Sequence, residues 1–412
     1  SAPPLAGHHN LFRVVVVAET KGREKTAVML EAITRAGGMR VGLWTSPHLH
    51  SYRERIQVDR VLISQADLAR LTATLPEPIA AVTAATGGAP VTFAIGFALA
   101  LCYFAEQQVD LAVLEVGLGG MYDSAAVIEP LLSVITAISY DHMEILGPTL
   151  AAIAEQKAGI MWPGRPTITA PQEPEALAAL VAHAGAVGTP LYQIIDPQTD
   201  RPPAAEEISA GLQRIDPQQA YHGSLRCGLE GTFQRENSLL AIGAVQLLRA
   251  GGMPLDDQAI AHGLAMAHWP GRFEIVPGTP IVVIDGAHNG DSLRRLAGAL
   301  RDAFPGRRIM LVFGTSRDKD LVRMLPQIVP LAAAIVLTAS RHPRALADLA
   351  HLEALVRDQL AGKPLLLTSI PDPAAALAYA HTLAQPDDVI CVTGSLFVAA
   401  AAREALGLAV PD

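Results

Sequence analysis

The sequence predicts an α/β protein of two domains, each built on a mostly parallel sheet. Three observations carry that prediction. Apolar runs with no polar alternation recur, as strands buried on both faces require. Each run leads through a polar turn into a helix-like segment, and strand–helix alternation implies right-handed crossovers between parallel strands. The alternation stops near Trp269-Pro270-Gly271 and then restarts, so the chain divides into residues 1–268 and 269–412. A chain of 412 residues is also too long for one ordinary core.

The elements follow in order. Phe12–Ala18 is a valine-rich strand that leads through a charged turn into a helix beginning near Ala27. Phe93–Ala105 is the longest apolar run; it falls short of the about 18–20 residues a bilayer span needs, so it reads as a core helix. Leu111–Val116 and Leu131–Ile138 are further buried strands. The stretch 196–222, with its Asp-Pro and Pro-Pro steps, reads as irregular connection. In the second half, strands are expected at Ile281–Asp285, Ile309–Phe313, Ala334–Thr338 and Val389–Gly394, with helices at Asp291–Phe304 and Leu346–Leu360. In such sheets ligands bind beyond the C-terminal ends of the strands, where the charged and glycine-rich residues of this chain fall.

Composition narrows the function. A net charge of −9 argues against non-specific nucleic-acid binding but not against a small anionic substrate. Cys102, Cys227 and Cys391 lie far apart with no metal spacing, which points to a reducing cytoplasm and no disulfide framework. The Ser-Ala-Pro-Pro start has no charged region followed by an apolar stretch, so no secretory signal and no membrane association are expected.

Several residues could carry chemistry. The turn Glu19-Thr20-Lys21-Gly22-Arg23-Glu24-Lys25-Thr26 lies between a buried strand and a helix start, where backbone N–H groups and the helix dipole favour phosphate. The alternative is a solvated charged turn, which three basic and two acidic residues in seven suit well. Glu115 ends a strand and precedes Gly117-Leu118-Gly119-Gly120; it is either a magnesium ligand or a surface carboxylate. His142 is a second ligand or a structural histidine. Lys157 is a buried amine or an exposed helix lysine, and Arg272 a phosphoryl clamp or a surface residue after a Pro-Gly turn.

These pieces stand in a set order with Thr45-Ser46-Pro47-His48, Glu54-Arg55, Asp123, Asp141-His142, Lys157-Ala158-Gly159, Gln234, Asn237, Pro270-Gly271-Arg272, Asp285-Gly286-Ala287-His288-Asn289 and Thr393-Gly394-Ser395. In order and spacing the set resembles the folylpolyglutamate/dihydrofolate synthase family of the Mur ligase superfamily, from about residue 12 to residue 400. The resemblance implies a P-loop-type ATP-binding domain over 1–268 and a smaller Rossmann-like ligase domain over 269–412. It implies ATP and Mg²⁺ as cofactors and, as substrates, a folate- or dihydropteroate-like carboxylate and L-glutamate. By the same resemblance Thr20, Gly22, Arg23, Lys25, Thr26, Asn237, Arg272 and Asp285 bind the nucleotide, and Ser46, Glu115 and His142 hold the metal. Lys157 would carry a CO₂-derived carbamate, and His288 and Ser395 would face the incoming amino acid, with Lys157, Arg272 and His288 as the catalytic set.

The phosphate loop departs from the family's Gly-Thr-Asn-Gly-Lys-Gly-Ser, with only Thr20 and Gly22 kept. Arg23 stands for the lysine, Lys25 for the metal-binding hydroxyl, and Glu19 and Glu24 for glycines. Ala94, Met121, Ala125-Ala126 and Phe233 also replace expected residues. Two readings result. One is an active ATP-dependent amide-bond ligase that works through an acyl phosphate. The other is a ligase-derived binding or regulatory subunit that no longer hydrolyses ATP. A nucleotide-binding dehydrogenase is disfavoured, because no GxGxxG follows either domain's first strand.

Overall fold

The computed structural model describes residues 11–19, 25–195, 211–221, 227–228 and 234–409. They form two compact units, one running to Ala267 and the other from His268, with Leu49–Ser51 and Gln234 grouped with the second.

The first unit begins with β1 (Arg13–Ala18), α1 (Lys25–Ala36), β2 (Val41–Trp44), β3 (Ile56–Val58) and β4 (Val61–Leu62). It continues through α2 (Gln65–Thr72), α3 (Pro76–Thr86), α4 (Thr92–Glu106), β5 (Leu111–Glu115) and β6 (Leu132–Ile135). Then come α5 (Met143–Leu146), α6 (Leu150–Ala158), β7 (Thr167–Thr169), α7 (Pro174–Val187), β8 (Leu191–Ile194) and β9 (Gln213–Ile215). Last are α8 (Pro217–Ala220), α9 (Gln234–Ala250) and α10 (Asp257–Met266).

The nine strands lie in the order β4-β3-β2-β5-β1-β6-β7-β8-β9. Only β3 and β4 run antiparallel to their neighbours. β1 is buried along its length except at Arg13, and it pairs with β5 on one side and β6 on the other. The chain therefore leaves β1 toward one half of the sheet and later enters the other half. That switch opens the crevice in which α/β proteins bind ligands. Helix α1 covers this centre and packs closely on α10: a Cβ on Gly263 would lie 2.4 Å from the Ile33 Cα.

The second unit holds β10 (Glu274–Val276), β11 (Ile281–Ile284), α11 (Gly290–Ala303), β12 (Ile309–Phe313), α12 (Leu321–Ile328) and β13 (Ala332–Leu337). It closes with α13 (Leu349–Leu360), β14 (Leu366–Ser369), α14 (Pro373–Leu383), β15 (Val389–Thr393) and α15 (Leu396–Ala405). The strand order is β10-β11-β15-β12-β13-β14, parallel except for β10. Apolar clusters cover both faces, with Val283, Leu296, Leu311 and Leu352 on one and Ile284, Met310, Ala376 and Val398 on the other. A sheet buried on both faces explains why its strands read as unbroken apolar runs.

Three expectations are corrected in detail. The run Leu131–Ile138 pairs as strand only over Leu132–Ile135, because Gln172 takes over the backbone beyond it. The Gln172 amide donates to the Thr136 carbonyl, and its Oε1 accepts from Ile138 N at 2.8 Å. The helix expected from Leu346 starts at Leu349, where Asp348 caps it by accepting from His351 N. Part of the expected irregular connection is ordered as β9 and α8, with Asp216 capping the latter, while residues 196–210 and 222 lie outside the described set. Among the described residues no helix is long and apolar enough to cross a membrane.

Candidate active site

The C-terminal ends of β1, β2 and β5 meet in the first unit, and the parallel register sets their depth. Val17 of β1 lies beside Glu115, and Trp44 of β2 beside Leu114. Glu115 is therefore the last residue of a fully buried strand, and its carboxylate is itself buried. Its Oε2 accepts from Ser46 N at 3.0 Å, which ties the turn after β2 to the end of β5. Glu115 also draws on Arg55, whose guanidinium donates to His48 Nδ1 and lies 5.1 Å from the Tyr52 ring centre.

Beyond Glu115 the glycine loop is held by Asp123. Its carboxylate accepts from the main-chain N–H groups of Gly117, Leu118 and Ala125 at 3.0, 3.4 and 2.9 Å. Burial pushes the Asp123 carboxyl above the usual carboxylate range, against the opposing pull of those N–H donors and of Lys157. The sequence shows Asp123 only as one member of a motif. The signal that finds its role is an Asp that starts a short helical turn just after a glycine run, a position suited to an Asx turn. Gly120 then lets the loop touch the end of α6, where Met121 N donates to the Gln156 carbonyl at 2.7 Å. A Cβ at Gly120 would stand 2.7 Å from that carbonyl oxygen and 2.8 Å from the one of Lys157.

Lys157 is buried in the last turn of α6, and its Nζ donates to the Glu19 carbonyl at 2.9 Å. Glu19 follows β1 and is buried too, with Oε1 accepting from Ala27 N in the first turn of α1 at 3.2 Å. Lys25 and Thr26 open that helix and are both buried. Thr20, Gly22 and Arg23 lie outside the described residues. The structure thus brings Lys157 to the end of β1, and Ser46 to Glu115. His142 stands exposed in a left-handed conformation at the head of α5, with Nε2 3.8 Å from the Asp141 carboxylate.

No group of three or more His, Cys, Asp or Glu side chains gathers to hold a metal among the described residues. The expected set contains two such side chains and a hydroxyl. Glu115 and Ser46 adjoin one another through the Ser46 main-chain N–H, and a carboxylate and a serine hydroxyl are both oxygen donors of the kind Mg²⁺ prefers. That donor chemistry fits the ion. Asn237 is buried in the first turn of α9.

In the second unit, Asp285 follows β11 and both its carboxylate oxygens accept main-chain bonds. Oδ2 takes Phe273 N at 2.7 Å and Oδ1 takes Ala287 N at 2.8 Å. Arg272 is buried and lies against Gly286, where a Cβ would stand 2.7 Å from its Nη1. His288 Nδ1 sits 2.9 Å from the Gly286 carbonyl, an acceptor only, so Nδ1 carries a proton. Ser395 is buried, and its hydroxyl accepts from Val398 N to cap α15.

Comparison with known proteins agrees with this frame. Residues 69–245 match the Mur ligase middle domain, and residues 271–396 match the Mur ligase glutamate ligase domain. The chain is 33% identical over 402 residues to a dihydrofolate synthase/folylpolyglutamate synthase of Bacillus subtilis, covering 96% of this chain and 90% of that one. A Mycobacterium tuberculosis folylpolyglutamate synthase structure, complexed with ADP and AMPPCP, is similar with a TM-score of 0.85 and 28% identity. That match covers 99% of this chain and 94% of the other. A Yersinia pestis bifunctional folylpolyglutamate synthase/dihydrofolate synthase, complexed with AMPPNP and Mn ion, gives a TM-score of 0.76 and 26% identity over 98% of this chain and 92% of that chain.

Proposed function

The chain belongs to the folylpolyglutamate/dihydrofolate synthase family, and from that premise we propose that it joins L-glutamate to the carboxylate of a folate-type substrate at the expense of ATP. The observation that carries the reading is the corner at the ends of β1, β2 and β5, where Lys157 reaches the Glu19 carbonyl and Ser46 is bonded to Glu115. Nothing in the comparisons favours the binding-subunit alternative. The cytoplasm is the compartment this chemistry implies.

A substrate carboxylate oxygen attacks the γ-phosphorus of ATP, giving an acyl phosphate and ADP. The amine of glutamate, having lost a proton, then attacks the acyl carbon, and phosphate leaves as the amide forms. Glu115 and Ser46 would hold Mg²⁺, with His142 the further ligand the resemblance suggests; the ion supplies positive charge for the phosphates. Lys157 fixes the end of β1, and a carbamate on its Nζ would still leave one N–H for the Glu19 carbonyl. Arg272, Asn237, Asp285, His288 and Ser395 keep the roles given by the resemblance. For His288, a neutral ring whose Nε2 keeps its lone pair can accept a proton from the incoming ammonium.

The test is ADP release from ATP·Mg²⁺ with dihydropteroate or a reduced folate, with and without L-glutamate. The expected result is glutamate-dependent release that drops by about a hundredfold or more in Lys157→Ala. Absence of release with every folate tried would sink the reading.

A further inference from the structure

We propose that Glu19 is a built-in occupant of the anion position at the start of α1, so that nucleotide phosphate binds there only by displacing its carboxylate. The inference rests on the ligase reading for the identity of the incoming anion, and on the structure for the rest.

Glu19 leaves the end of the central strand β1, is buried, and directs Oε1 to Ala27 N at 3.2 Å. That N–H belongs to the first turn of a helix of twelve residues, whose opening N–H groups have no partner within the helix and carry its positive dipole end. A carboxylate on them supplies the negative charge and the acceptor oxygen that a phosphate would supply. The position is held from a second side, because the buried Lys157 donates to the Glu19 carbonyl at 2.9 Å and anchors its main chain. An independent observation shows that this turn is made for more than Glu19. Thr26, also in it, is fully buried, and its hydroxyl has no hydrogen-bond partner among the described residues. A buried hydroxyl without a partner costs free energy, and an arriving phosphate oxygen would satisfy it.

The carboxylate therefore has two effects. Without nucleotide it stabilises the first turn of α1. Toward nucleotide it competes, and if displaced only a short way it leaves a like charge near the phosphates. A like charge about 5 Å away at an effective dielectric of about 20 weakens affinity by about a hundredfold. Glu19 is thus a residue that sets ATP affinity, acting on phosphate and not on the base.

Equilibrium binding of ATP·Mg²⁺ and of adenosine to the full chain, with Glu19→Gly and Glu19→Gln, tests this. Glu19→Gly is expected to bind ATP·Mg²⁺ at least about tenfold more tightly, with adenosine unchanged and Glu19→Gln in between. The melting temperature supplies a second readout: Glu19→Gly should melt below the parent without nucleotide and regain the difference when ATP·Mg²⁺ is added. Circular dichroism establishes that each variant is folded, and Glu19→Gln keeps the side chain's shape should Glu19→Gly fail. ATP affinity within about twofold of the parent in the folded variants overturns the proposal. So does an equal gain for adenosine. Tighter ATP binding in variants that never release ADP with a folate supports this proposal while sinking the ligase reading, so the two can fail separately.

Discussion

Glu31 lies midway along α1 with no exposed surface, its Oε1 2.7 Å from Arg35 Nε and its Oε2 4.0 Å from Arg60 Nε. Burial raises its carboxyl above the ordinary value, outweighing the pull of Arg60 and Arg35, and Asp59 pushes the same way as burial. A carboxyl whose folded pKa exceeds its unfolded one stabilises the fold most below the ordinary carboxylate range. That contribution is lost as pH rises through the folded pKa. Urea unfolding of the parent and Glu31→Gln across this range should show the parent's stability falling relative to the variant as pH rises. A parallel pair of curves would contradict the assignment. At this same scale, the place of Glu115 at a buried strand end was legible because a strand end beside glycines is a local pattern, whereas the residues alone left Lys157 open between a buried amine and an exposed helix lysine. The engagement of Glu19 with Ala27 was not legible. It depends on where a side chain turns after leaving its strand, and a sequence motif that expects glycine there gives no hint of it.

The loop from β5 to α6 shows how one glycine sets the position of an element. Gly120 faces the carbonyls of Gln156 and Lys157 at distances no Cβ tolerates, and both are backbone atoms that cannot swing aside. Gly120→Ala should push the loop off the end of α6 and shift Lys157 against β1. Overpacking of this kind costs about 1–3 kcal/mol of stability. Activity should fall much further, by about a hundredfold, because a misplacement of about 1 Å in a positioned group has that effect. A stability assay alongside steady-state rates separates the two, and a variant with normal kcat would show that the loop does not position Lys157. The strands that lie in largely apolar runs were readable at this scale, whereas β2, β3, β4, β7, β8, β9, β10 and β14 were not. Most of these mix polar residues or glycine into two to four positions, too few to show a period.

At the scale of the molecule, the second unit has its own sheet with apolar clusters on both faces. It also contains a buried pair in which Arg403 Nε donates to Glu274 Oε2 at 2.9 Å. Residues 268–412 expressed alone should therefore fold, with an α/β circular dichroism spectrum and a cooperative melt. The fragment should be less stable than an intact domain of its size, because it lacks His50. In the full chain His50 Nε2 accepts from Arg403 Nη1 at 3.1 Å, and its Nδ1 lies 3.2 Å from Glu404. A non-cooperative melt would mean that the unit depends on the rest of the chain. The strand–helix alternation told of two sheets, but the grouping of Leu49–Ser51 with the second could not be read, since nothing local in Leu-His-Ser marks a distant partner.

Among the described residues the outer strands of the two sheets are all short. The first sheet ends on the two residues of β4 and the three of β9, and the second on the three of β10 and the four of β14. An open strand edge is a template on which another chain can add by hydrogen bonding, and the hazard grows with the length of the exposed ladder. Edges this brief offer a passing molecule two or three bonds at most. The long valine-rich strands that would aggregate most readily lie between neighbours, so the sheets can be rich in β-forming residues and still resist stacking into fibres at high protein concentration.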